Sequence, residues 1–173
     1  MNEKILVTYA SRTGTTAAVA QAIGKTLVES GAEVDVLSMQ DVKDLSTYRA
    51  VVAGSAIRAA KWLPEAAAFI QAHQAVLVQK PFAMFTVCIT LAMSNTEQYR
   101  SAVTGWTESV REYVRPVSQG LFPGVLDFSK LPFNFDTLKL RLTVALGIFP
   151  RDDRRDWDAI RTWASSLPPL LLN

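Results

Sequence analysis

Residues 5–16 read ILVTYASRTGTT, an apolar run that breaks into a hydroxyl-rich loop around one glycine. Ser11, Arg12, Thr13, Thr15 and Thr16 have nothing to offer a core. The loop is therefore either an ordinary polar turn before a helix or a cradle for an anion. A phosphate needs short donors converging on it with a helix amino terminus behind them. Residues 15–30 supply that helix by their spacing, with Ala18, Val19, Ala22, Ile23 and Leu27 on one face and Gly31 as a stop. Gly14 lets the backbone turn and bring its amides close. Neither GxGxxG nor GxxxxGK[ST] is present, which excludes the dinucleotide fingerprint and the P-loop. A receiver domain would need acidic strand ends, yet the first strand ends in Ala10 and the third in Gly54.

Outward from this stretch, strand-like and helix-like segments alternate. Strands are expected at 4–9, 33–37, 50–54, 82–88 and 117–125, and helices at 15–30, 64–73, 96–114 and 156–167. Pro64 suits a first helical turn, and Asp156 and Asp158 suit the start of the last helix. Strands apolar on both faces and separated by helices imply a parallel sheet covered on both sides. The expected fold is an α/β doubly wound, five-stranded parallel sheet forming one domain over 1–173. Its ligand crevice lies at the carboxyl ends of the strands, at the topological switch point. The loops SRTGTT, SAIRAAKW and ITLAMSN all gather there. Residues 127–155, DFSKLPFNFDTLKLRLTVALGIFPRDDRR, exceed this plan and read as an insertion before the last helix.

The length of 173 residues suits one compact core, and 49% of them are hydrophobic. Residues 1–110 carry nine basic and nine acidic side chains, whereas 111–155 carry eight basic and five acidic. That surplus is too thin for a nucleic-acid surface, which needs a dense basic stripe. It is a modest attraction towards acidic ligands or headgroups. The single Cys88 excludes an internal disulfide and fits a reducing compartment, and the opening MNEKILVTYA lacks a secretory apolar stretch. A cytoplasmic protein is expected. Cys88 reads as a small buried hydrophobe and His73 as a solvated side chain near a helix end. Asp152, Asp153, Asp156 and Asp158 interleave with Arg151, Arg154 and Arg155, so no metal is expected.

At this point LVTYASRTGTT resembles the signature of the flavodoxins, an apolar strand followed by a hydroxyl-rich turn that holds the FMN phosphate. YRAVVAGSAIRAAKWLPEAAAFI and FTVCITLA resemble a narrower branch, the flavodoxin-type, menaquinone-dependent protoporphyrinogen oxidases. That branch shows a Gly-small-small-Ile-Arg loop and a long insertion before the last helix, matched here at 54–58 and 127–155. The resemblance implies FMN, with Ser11, Thr13, Gly14, Thr15 and Thr16 at the phosphate. Ser55, Ala56, Ile57 and Arg58, with Thr90, Leu91 and Ala92, would border the ribityl chain and the ring system.

Arg58 at the crevice is expected to stabilise the anionic reduced flavin or meet a substrate carboxylate. Arg12 either neutralises the phosphate or points to solvent, and Trp62 either stacks on the flavin or caps a helix. The implied function is an FMN-dependent oxidoreductase acting on a porphyrinogen-type or other organic substrate and passing electrons to a quinone. The alternative is an electron carrier, although carriers of that family are typically strongly acidic and this chain has a net charge of +2. In the insertion, residues 135–149 place Phe135, Leu138, Leu142, Ala145, Leu146 and Phe149 on one helical stripe. The plain expectation is that this stripe packs on the protein's own sheet edge or helices. The sharper one is that 130–151 shields the crevice and supplies an apolar dock for a lipid-soluble acceptor or for the inner face of a membrane. Lys130, Lys139, Arg141, Arg151, Arg154 and Arg155 would then meet anionic headgroups.

Overall fold

The computed structural model describes residues 4–93, 96–130, 132–150 and 152–173. Its centre is a parallel sheet of β1 (Ile5–Ala10), β2 (Val34–Ser38), β3 (Ala50–Arg58), β5 (Phe82–Cys88) and β6 (Ser118–Pro123). A two-residue strand, β4 (Lys61–Trp62), folds back antiparallel on β3. The spatial order β2-β1-β3-β5-β6 is that of a flavodoxin-like doubly wound sheet, as expected. Around it lie α1 (Thr15–Glu29), α2 (Pro64–Ala72), α3 (Gln74–Leu77), α4 (Thr96–Trp106), α5 (Glu108–Arg111), α6 (Phe135–Ala145), α7 (Trp157–Ser165) and α8 (Pro168–Leu171).

Strand alternation sorts the core into two layers. Ile5, Val7, Ala50, Val52, Ala83 and Phe85 pack with α1, α7 and α8 through Ile23, Leu27, Ile160 and Leu171. Leu6, Val51, Ala53, Phe82 and Met84 point the other way, against Leu63, Ala66, Ile70 and Leu77 of the α2–α3 side. Because successive side chains alternate faces, runs such as ILV and AVVA must be apolar throughout to serve both layers. The chain leaves β1 towards one layer and β3 towards the other. The adjacent carboxyl ends of β1 and β3, paired Ala10 to Ser55, therefore open a crevice between the departing loops.

Three local readings need correction. Residues 55–58 are not loop but the end of β3, which turns back through Ala59 and Ala60, both left-handed at φ 50° and 58°. Two left-handed central residues match the twist of a tight hairpin, but Asn-Gly is the usual signal and Ala-Ala gives none. The single helix expected at 96–114 breaks at Thr107, whose hydroxyl donates to Thr104 O at 2.8 Å. The apolar stripe of the insertion does not pack on the protein's own core. Instead α6 buries Thr137 and Val144 and leaves Phe135, Leu138, Leu142 and Leu146 exposed. Its ends are well formed. The Asn134 side chain accepts from Thr137 N at 2.9 Å, and Gly147, at φ 76°, stops it as Ile148 N donates to Thr143 O at 2.9 Å.

Candidate functional site

A cavity of about 400 Å³ lies at the carboxyl ends of β1, β3, β5 and β6, within the usual size range of small-molecule sites. Ser11, Arg12, Thr13, Thr15 and Thr16 form one end. Ala56, Ile57, Arg58, Val87 and Ile89 form its sheet-side wall, and Gly124–Asp127 the loop after β6. The insertion closes it with Lys130, Asn134, Asp136, Thr137 and Leu140.

The hydroxyl loop is built for an anion. Ser11 Oγ accepts from Gly14 N at 3.0 Å, and Gly14, at φ 88°, takes the left-handed turn into α1. As the N-cap, Gly14 has no side chain to bond the first free N–H groups of the helix, and no acid stands in the first turn. The positive end of the α1 dipole is thus left uncompensated. Thr13 and Thr15 hydroxyls stand 3.4 Å apart, and Thr15 also reaches Val125 O at 3.3 Å. Convergent hydroxyls beside uncapped amides fit a phosphate monoester.

The charged groups around the cavity are paired. Arg12 donates to Glu65 at 3.1 Å, so it is tied to the start of α2 rather than loose in solvent. Burial pushes the Glu65 carboxyl up, but its own backbone amide, Arg12 and the charge of Arg58 outweigh this and leave it below its ordinary value. Arg58 lies 3.9 Å from Asp136 of α6, a contact that joins β3 to the covering helix. Lys130 lies 3.5 Å from Asp127. Hydrogen bonds from Ser129, with the nearby Lys130, hold the Asp127 carboxyl below the usual carboxylate range. Burial raises the Cys88 thiol above its ordinary value, against hydrogen bonds from Thr90 and Leu91 that pull it down, so its surroundings disfavour the thiolate.

Several expected site residues do not reach the cavity. Trp62 neither stacks in it nor caps a helix. Its ring is buried against the α2 layer, and its indole N–H donates to Thr86 Oγ1 at 2.9 Å. Ser55 is fully buried and braces the hairpin, donating to Ala56 O at 2.8 Å and accepting from Leu63 N at 3.1 Å. Leu91 and Ala92 are buried in a short 3-10 turn with Thr90, and it is Val87 and Ile89 that line the wall. Ser94 and Asn95 of the loop ITLAMSN lie outside the described residues. The loop 124–127 was not anticipated; the sharper expectation did place 130–151 over the crevice, but Asn134, Asp136, Thr137 and Leu140 were not singled out as the residues that line it. The Gly124 that follows β6 was the available signal, since a Cβ there would stand 3.3 Å from the backbone of Cys88 and Ile89.

Lys130 was expected to face headgroups, yet its ammonium turns inward, 3.7 Å from where a Cβ on Gly14 would stand. A cation beside the hydroxyl loop complements a phosphate dianion. Lys130→Ala is therefore expected to weaken FMN by about 0.5–1 kcal/mol at low salt, the modest value of an exposed charge pair. Flavin-fluorescence titration at two ionic strengths checks this. The difference from the parent protein should shrink as salt rises.

The cavity suits FMN on structural grounds: a hydroxyl-and-amide cradle at one end, and aliphatic walls from Ile57, Val87, Ile89 and Leu140 at the other. Among the described residues, no cluster of His, Cys, Asp and Glu could hold a metal ion, and no helix is long and apolar enough to cross a membrane.

Comparison with known proteins agrees with this geometry. A family profile described as a flavodoxin domain matches residues 6–146. Comparison with curated proteins returns no significant match. Among solved structures, oxidised flavodoxin 2 from Bacillus cereus is 23% identical over 84% of this chain and 98% of its own, with a TM-score of 0.54. A flavodoxin from Streptococcus pneumonia TIGR4 is 14% identical over 96% and 98%, with a TM-score of 0.57. The rubredoxin oxygen:oxidoreductase of Desulfovibrio gigas is 16% identical over 96% of this chain but only 36% of its own, with a TM-score of 0.52. At these identities the structures speak to the fold. The narrower resemblance to porphyrinogen oxidases finds no support among these matches. With the profile covering most of the sheet and the whole hydroxyl loop, the chain belongs to the flavodoxin family, whose cofactor is FMN.

Proposed function

We propose that this protein is an FMN-dependent electron-transfer protein that takes electrons from one redox partner and delivers them to another. FMN supplies the chemistry, accepting and returning electrons. The protein's part is to hold the phosphate with Ser11, Thr13, Thr15 and the α1 amides. It also packs aliphatic side chains around the ring system and limits water with the insertion. The observation that carries this reading is the state of the cavity's titratable groups. Asp127 and Asp136, its two lining carboxylates, are both in ion pairs, and its lining holds no His or Cys. A carrier needs no proton donor or acceptor poised over a substrate, and none is poised there among the described residues.

A second reading keeps the same cofactor site and adds an organic substrate of porphyrinogen type, with a quinone as acceptor. The observation in its favour is the insertion, whose helix α6 covers the crevice with one face and exposes apolar side chains on the other. On that reading Arg58, at the crevice mouth, meets a substrate carboxylate once Asp136 yields.

Rapid mixing of the chemically reduced, FMN-loaded protein separates the two. Fast oxidation by a haem protein, with re-reduction by a flavoprotein reductase and no turnover of organic donors, is expected. Turnover of an organic donor with a quinone analogue, and no exchange with the haem protein, would overturn the carrier reading.

A further inference from the structure

The outward face of α6 is the largest group of exposed apolar side chains among the described residues. Phe135 is 70% exposed, Leu142 59% and Leu138 50%. The face continues beyond the helix at both ends, through Phe133 at 80% and Leu146 at 68%. Soluble monomers rarely leave so many large apolar groups together without something to cover them. Their arrangement is ordered, because α6 has a capped start and a glycine stop and turns Thr137, Leu140 and Val144 inward.

Charge identifies the occupant. Lys139 lies 4.7 Å over the Phe135 ring, and the Arg141 guanidinium lies 5.5 Å from the Phe128 ring and 5.8 Å from that of Phe133. Both cations thus rest along the rim of the apolar face, in reach of an anion above it. The only carboxylate between residues 132 and 150 is Asp136, and it is paired with Arg58. Among the described residues, the other expected cations are engaged elsewhere. Lys130 turns to Asp127, Arg154 binds Asp152 and Ala92 O, Arg155 binds Asp153, and Arg151 lies outside the described residues. A second copy meeting this face head-on would bring the cations of both copies, Lys139 and Arg141, together around one apolar face with no carboxylate there to pair them, which is repulsive. An acidic, apolar-centred surface has the complementary charge.

We infer that α6 is an in-plane membrane-docking helix that lays its Phe135–Leu138–Leu142 face into an anionic lipid surface, with Lys139 and Arg141 meeting the headgroups. Since α6 also roofs the FMN crevice, docking places the cofactor end of the molecule at the lipid surface. The binding itself rests on no assumption about the redox partner.

The test uses the FMN-loaded full chain and vesicles of phosphatidylcholine with or without phosphatidylglycerol, read by flotation. The parent protein is expected to bind the anionic vesicles and to leave the neutral ones. Leu138→Glu with Leu142→Glu should lower binding on the order of tenfold or more, since each loses buried apolar area and gains a like charge. Lys139→Glu with Arg141→Glu should abolish the preference for phosphatidylglycerol. None of these four residues lines the cavity, so the flavin spectrum and circular dichroism should not change. Absence of vesicle binding by the parent protein overturns the proposal, as does equal binding to neutral vesicles. So does a dimer in solution that the Leu138 and Leu142 substitutions dissociate, since a second copy would then cover the face. Each of these failures leaves the electron-transfer reading standing.

Discussion

Replacing Thr13 and Thr15 together by alanine lowers the affinity for FMN by about 3–6 kcal/mol, taking about 1.5–3 kcal/mol for each hydrogen bond to a charged group. Their hydroxyls stand 3.4 Å apart at the mouth of α1, next to amides that the chain itself leaves uncapped. Thr13 makes no hydrogen bond that secures the fold, and Thr15 contributes only a long bond to Val125 O at 3.3 Å. The loss should therefore fall on the cofactor and leave the apoprotein's circular dichroism intact. Serine at both positions keeps the hydroxyls and should restore most of the affinity. Unchanged flavin binding in the alanine pair would place the phosphate elsewhere in the cavity.

That loop was legible in the sequence because its chemistry is local. A run of hydroxyls with one glycine, between an apolar strand and an amphipathic helix, carries its reason for existing within twelve residues. The sheet was legible on the same terms, since strands such as Phe82–Cys88 must be apolar on both faces. What could not be read depends on partners far along the chain. Trp62 sits next to the crevice in sequence, but a hydroxyl 24 residues away, on Thr86, draws its indole into the core. The stripe on α6 is correctly spaced for a helix, yet spacing says only that a face exists. Which way it points was decided by Asn134, Thr137 and Leu140, which the cavity takes up on the opposite face. The wall at 124–127 comes from the loop after β6, and only the register of β5 on β6 brings it beside Ile89.

Gly54→Ala is expected to destabilise the fold by about 3 kcal/mol, at the upper end of what overpacking a close-packed core costs. Gly54 is paired with Phe85 on the neighbouring strand, and the Phe85 ring lies across it. An added Cβ would stand 2.0, 2.2 and 2.3 Å from three atoms of that ring. The ring has little room to retreat, because Phe85 is fully buried and its far side meets Trp163, with centroids 6.3 Å apart. For a chain of this size, about 3 kcal/mol corresponds to a fall in Tm of roughly 6–12 °C. The consequence reaches the site, because β3 continues into Ala56, Ile57 and Arg58, and β5 into Val87 with Ile89 just past its end, both walls of the cavity. Forcing the two strands apart should weaken FMN binding although neither residue touches the cavity. Shortening the ring makes room, so Phe85→Leu in the Gly54→Ala background should recover stability that Phe85→Leu alone would lose. A thermal or denaturant midpoint unaffected by Gly54→Ala would mean that the ring lies elsewhere. The glycine in the middle of β3 would then have no packing reason to be there.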